Sequence, residues 1–123
     1  MNTNSTELSQ IAQSLSDKAY RDAFVAQEIA TVIPYQTRAI RLARGWTQKD
    51  IGDRAGMKQE TISLLENPNY ARVTIRTLLR LASAFDVGLL VRFVPFSTLV
   101  SWTIKSEEDL IPKRYENDVD LLG

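Results

Sequence analysis

Between Gln48 and Asn67 the chain reads QKDIGDRAGMKQETISLLEN, and this stretch narrows the possible folds more than any other. Ile51, Ala55, Met57, Ile62 and Leu65 stand at the spacing with which two short helices each bury one face. Gly52 falls where two such helices approach closest. Gly56 falls where the turn between them favours a residue that accepts positive φ. Thr47-Gln-Lys-Asp50 has the spacing of a capping box, with Asp in place of the preferred Glu or Gln, and opens the first helix. That helix ends near Ala55. The second runs from about Gln59 to Glu66 and stops at Asn67-Pro68-Asn69, because Pro disfavours helix at the residue before it. Together these positions predict a pair of short helices packed at a steep angle.

The flanks predict further helix. Leu8, Ile11, Ala12, Leu15, Ala19, Ala23 and Ala26 recur at helical spacing, and Tyr20, Phe24 and Ile29 widen the stripe. Ser16-Asp17 reads as a helix start, so this region is one helix or two. Pro34 suits the first turn of a new helix that runs to about Arg44, with Gly45 just past its end. Thr74 caps a helix over about Ile75–Phe85 that turns Ile75, Leu78, Leu79, Leu81 and Ala82 inward. At Val87 the period changes. Leu89, Val91 and Phe93 alternate with Leu90, Arg92 and Val94 over a strand length, until Pro95. Ser97 caps one more short helix through Trp102. The expected fold is mainly α. It has an N-terminal helical extension over 1–32, a helical domain over 33–86, a strand and short helix over 87–104, and an acidic, partly ordered tail over 105–123.

Charge is balanced overall, with 15 basic and 15 acidic residues, but it is not evenly spread. Residues 33–81 carry 9 basic and 4 acidic side chains, whereas 1–32 carry 2 and 4 and 105–123 carry 3 and 6. A cationic centre between anionic ends points to a polyanion as partner. The absence of His and Cys removes zinc fingers, disulfides, thiol nucleophiles and Ser-His-Asp catalysis. Asp50 and Asp53 share one short helix and read as a cap and a solvated carboxylate. No catalytic set, metal site or cofactor site is expected, and the chain reads as a non-enzyme. No apolar run reaches the ~18 residues of a membrane span. The N-terminus lacks the basic start and apolar core of a signal peptide. A cytoplasmic protein without a membrane partner is expected.

The pair of helices over Gln48–Asn67 is the helix-turn-helix pattern. Residues 35–93 resemble the Cro and lambda-repressor type of helix-turn-helix domain, the Xre family. The resemblance rests on Trp46-Thr47-Gln48, Ala55-Gly56-Met57, Gln59-Glu60-Thr61-Ile62-Ser63 and Leu78–Ala84. More loosely, Tyr20–Phe24 and Val91–Ser97 are similar to stretches in small bacterial and phage Xre-like regulators. The resemblance implies double-stranded DNA as partner. It implies that Gln48 donates to a phosphate and that the following helix lies in the major groove. Lys58, Gln59, Glu60, Ser63 and Leu64 are then the residues at the base edges. Gln59 can pair with adenine, Lys58 can reach guanine or phosphate, Glu60 can accept from cytosine N4 or repel phosphate, and Leu64 can touch a thymine methyl. Arg72, in the loop after that helix with Asn67, Asn69 and Tyr70, falls where relatives touch the backbone. For each of these the alternative is an ordinary exposed residue. Arg38, Arg41 and Arg44 read either as a solvated helix face or as phosphate contacts, and Trp46 as packing under the domain. Many relatives have a small hydroxyl residue where this chain has Lys58, so the usual N-cap is missing and a positive charge is gained.

A lone strand cannot satisfy its own hydrogen bonds. Residues 89–94 are therefore expected to pair with a second copy, making a homodimer, or with a short segment around Thr31–Ile33. Two recognition helices in a dimer would read two half-sites of an operator palindrome, the behaviour of a repressor. The alternative function is an antitoxin that binds a toxin protein and represses its own promoter.

Overall fold

The computed structural model describes residues 3–70, 72–104 and 110–122. Helix α1 (Thr3–Ser14) is followed by α2 (Lys18–Ala43), α3 (Gln48–Ala55), α4 (Gln59–Leu65), α5 (Ile75–Phe85), α6 (Phe96–Thr103) and α7 (Val119–Leu122), with a 3-10 turn at Tyr115–Asn117. The expected helix start at Ser16-Asp17 is present. The Asp17 carboxylate accepts from the Tyr20 N–H, and Arg21 donates back to the Leu15 and Ser16 carbonyls in the turn after α1.

The core is built by α2 to α5. Ile40, Ile51, Ala55, Ile62, Leu65, Leu81 and Phe85 form one buried cluster, against which Trp46, Met57, Tyr70, Val73, Ala84 and Val87 pack. The α2 end is a Schellman motif: Gly45 at φ +68° donates to the Leu42 carbonyl, and Trp46 donates to that of Arg41. The same motif closes α5, with Asp86 rather than glycine in the left-handed region at φ 56°.

Four expectations change, the smallest being that Ser97 lies inside α6, whose N-cap is Pro95 with no side-chain bond. Pro34 does not open a helix. It lies inside α2, which runs unbroken to Ala43. A proline inside a helix forfeits one backbone bond and crowds the preceding turn, at a cost of about 3 kcal/mol. Here its ring is buried, as are Thr37, Ile40 and Arg41 on the following turns, and the packing of that face offsets the loss. Ile75 and Leu79 do not turn inward; they are 54% and 56% exposed. The apolar arc of α5 is wider than the core it serves, and Leu81 and Phe85 define the buried direction. The strand also does not form: among the described residues none is present, and 87–95 run as irregular chain. The intrachain alternative fails because residues 31–33 are helical within α2 and offer no edge.

The tail is expected to be only partly ordered. Its residues 105–109 lie outside the described residues. Beyond them the chain returns to the domain. Pro112 lines a shallow apolar cleft with Ile33, Thr37, Leu78 and Ala82, and the Tyr115 N–H donates to the Asp86 carbonyl at 2.9 Å. No helix among the described residues is long and apolar enough to cross a membrane.

Candidate nucleic-acid interface

Helices α3 and α4 are held together by specific local chemistry. The Thr47 hydroxyl accepts from the Asp50 N–H at 3.0 Å, and the Asp50 carboxylate accepts from the Thr47 N–H at 2.8 Å, completing the capping box. Those bonds to Thr47 hold the Asp50 carboxyl below the usual carboxylate range. Gly52 is buried, and a Cβ there would lie 2.7 Å from the Met57 carbonyl oxygen, so α4 approaches as closely as it does only because the side chain is absent. Gly56 turns the chain at φ +67°. Arg80 of α5 donates from Nε to the Ala55 carbonyl at 3.2 Å and from a second nitrogen to Gly56. A cation thus meets the carbonyl end of α3, where the helix dipole favours it.

Helix α4 has two chemically distinct faces. Ile62 and Leu65 are buried at 0% and 2% exposure. Gln59, Glu60, Ser63 and Leu64 lie on the other side of the helix and are exposed, and Lys58 before them is exposed too. Lys58 occupies the N-cap position with extended backbone and no side-chain cap bond, so its ammonium is not committed to the helix end. Thr61 is half-buried, between the two faces.

Gln48 is half-buried, and its amide nitrogen donates to Glu66 Oε1 at 3.3 Å. An amide has two N–H donors, so one remains for another acceptor. Glu66 follows the last turn of α4 and forms a fork with Arg41 of α2: Arg41 Nε to Oε2 at 2.6 Å and Nη2 to Oε1 at 2.9 Å. Arg41 Nη1 also donates to the Trp46 carbonyl at 2.9 Å. The two side chains are only 10% and 5% exposed. The bond to Glu66 raises the Arg41 pKa above the ordinary arginine value despite burial. One ion pair therefore ties α2, the loop before α3 and the far end of α4 together, and orients Gln48. The sequence reading missed Glu66 and placed Arg41 on the surface. A signal was available: Arg41 shares the Thr37–Ile40 face, and Glu66 stands four residues after buried Ile62, so opposite charges end two buried stripes.

The remaining candidates are scattered. Arg72 is exposed in the loop between α4 and α5. Asn67 closes a turn there by accepting from the Asn69 N–H at 2.9 Å, and Tyr70 packs against the core. Arg38 is exposed on α2. Arg44 is not a solvated side chain: its guanidinium lies 5.1 Å from the Trp46 ring centroid and 5.6 Å from that of Phe85. Trp46 itself stacks on Phe85, with centroids 6.2 Å apart and planes at 13°.

Residues 38–91 match the family model described as Helix-turn-helix. Comparison with curated proteins and with solved structures returned no match. The match starts within α2 and takes in the whole of α3, α4 and α5, including the Arg41–Glu66 pair and both turn glycines. Residues 38–91 therefore form a helix-turn-helix domain of the kind found in Xre and lambda-repressor-like regulators.

Proposed function

We propose that the protein is a transcription repressor that reads operator DNA with α4 in the major groove. The observation that carries this reading is the division of α4: Ile62 and Leu65 fix it to the domain, while Gln59, Glu60, Ser63 and Leu64 face away and Lys58 stands at its start. Gln48, already oriented by Glu66, supports the same reading as a donor to a phosphate beside the groove. Arg72 supplies a further backbone contact. Salt-dependent affinity comes from these cations, and sequence choice from Gln59 and its neighbours.

The reading includes a dimer. Leu90, Val91 and Phe93 stand exposed on irregular chain whose backbone has no partner strand among the described residues. Pairing of 89–94 with the same segment of a second copy satisfies both. Selection from a randomised duplex library tests the whole reading. An inverted repeat is expected, its half-site centres ~10 base pairs or a multiple apart. Gln59→Ala then relaxes the preference at one base position and costs ~1–3 kcal/mol. A library that returns no enriched sequence sinks the repressor.

A second reading, an antitoxin, is favoured by the exposed Leu8, Tyr20, Val25 and Ile29 of α1 and α2, which would suit a protein partner. It predicts a stable complex with the product of an adjacent gene.

A further inference from the structure

Beside the core, away from α4, three guanidinium groups gather around one indole. Arg54 of α3 lies 4.1 Å from the Trp46 ring centroid, Arg44 at the end of α2 lies 5.1 Å from it, and Arg114 of the tail lies 6.0 Å from it. They line an open cleft together with Asp86 and Glu116. Arg54 and Gly52 are two residues apart on α3, so they project to nearly opposite sides of the helix. The Gly52 side meets the start of α4, and the Arg54 side faces the cleft, which takes no residue from α4.

The local chemistry is unbalanced. Three cations face two carboxylates. Glu116 is bonded to Arg114 at 3.2 Å, but among the described residues neither Arg44 nor Arg54 hydrogen-bonds to a protein acceptor through its guanidinium. Stacking on an aromatic ring uses the flat face of a guanidinium and leaves its five N–H donors pointing outward in their plane. Burial and the nearby Arg114 push Arg44 below the ordinary arginine value, against the opposing pull of Asp86 and Glu116. Guanidinium forks match the oxygens of a phosphoryl group, and several converging forks select a compact, multiply charged anion.

We propose that this cleft is a binding site for a small, free phosphoryl anion, held by Arg44, Arg54 and Arg114 over Trp46. One of its three cations comes from the tail, so an occupied site fastens the tail to the domain. The inference stands apart from the reading of α4, because the cleft takes no residue from that helix and its first test is a free anion.

The chain has two tryptophans, so Trp102→Phe leaves Trp46 as the only indole reporter. In that background, inorganic pyrophosphate titrated at constant ionic strength, balanced with chloride, should change the Trp46 emission saturably. Arg54→Gln, at an exposed position where misfolding is not at issue, should weaken the apparent Kd by about tenfold or more, since charge-assisted bonds are lost. Arg54→Lys should recover part of it, having the charge without the fork. Arg114→Gln should weaken binding while leaving the Arg54 stack in place. A response that follows ionic strength alone, or one that Arg54→Gln leaves unchanged, overturns the site. So does a saturable Trp46 response to random duplex DNA with none to pyrophosphate, which would make the cleft part of the DNA surface.

Discussion

The helical unit from Ile40 to Phe85 and the segments around it use apolar residues in opposite ways. Inside the unit seven apolar side chains are buried in one cluster, two of them completely. Outside it, Val100 is buried, but Leu8, Val25, Ile29, Leu90, Val91, Phe93 and Trp102 stand substantially exposed. The two regions are similarly hydrophobic in sequence, so composition does not separate them. The difference lies in whether a single chain supplies the second surface. Around α3 it does, from α2, α4 and α5 at once. Around residues 87–95 it does not. The exposed apolar residues of that segment are the ground on which a partner is proposed.

The largest expected effect breaks the self-sufficient half. Glu66→Ala leaves the Arg41 guanidinium buried without its carboxylate and removes the anchor of Gln48. Breaking a buried pair by deleting one partner costs ~3–5 kcal/mol, a large share of the stability of a domain this size. Denaturant unfolding of the Glu66→Ala variant should show the midpoint collapse. A double replacement of Arg41 and Glu66 by Met and Leu should recover much of it, since no charge is then stranded. Equal losses in the single and double variants would show that the pair is worth more than its desolvation.

The same comparison explains what could be read from the sequence. Helices α3, α4 and α5 were legible because caps, turn glycines and apolar spacing are local signals that agree with one another: Thr47 with Asp50, Gly52 and Gly56, Thr74. Spacing marked Ile62 and Leu65 as the buried side of α4, and the resemblance named Lys58, Gln59, Glu60, Ser63 and Leu64 on the other. Glu66, Arg80 and the Arg54–Arg114 cluster were not found, because each acquires its role from a residue 24 or more positions away or from a ring it lies over. Pro34 misled because its cost is local while the burial that offsets it is tertiary. Ile75 and Leu79 misled because helical spacing reports an apolar arc and not how much of that arc a neighbour covers. The strand expected over 89–94 misled because alternation is a local signal, and among the described residues the chain supplies no edge for that segment to pair with.

A smaller effect sharpens the comparison at the edge of the domain. Thr47→Ala removes the hydroxyl half of the capping box and should cost about 1 kcal/mol in thermal or denaturant unfolding. Asp50 adds a pH dependence. Its folded-state pKa is lowered by its bonds to Thr47, so its contribution is present above the unfolded-state value and is lost as pH falls through the folded-state one. Asp50→Asn should therefore lower stability near neutrality and flatten the acid limb, so that the two curves converge at low pH. An acid limb as steep as that of the wild type would place the titrating group elsewhere.

The smallest effect on the folded domain is expected from Phe93→Ser, and it bears most directly on the difference between the two regions. Phe93 is 106% exposed in the single chain and touches nothing that the domain needs. In dilute solution its replacement should leave the unfolding midpoint unchanged. In sedimentation at tens of micromolar the wild type should be a dimer and the variant a monomer. The wild-type midpoint should rise with protein concentration, because assembly stabilises only the folded state, and that dependence should vanish in the variant. Operator affinity should fall with it, since one recognition helix then binds without the other's effective concentration. A wild type that stays monomeric at those concentrations would mean that the apolar residues of 87–95 serve a different chain. The incomplete half of the molecule would then be completed by a foreign protein, and the antitoxin reading would gain what the repressor reading loses.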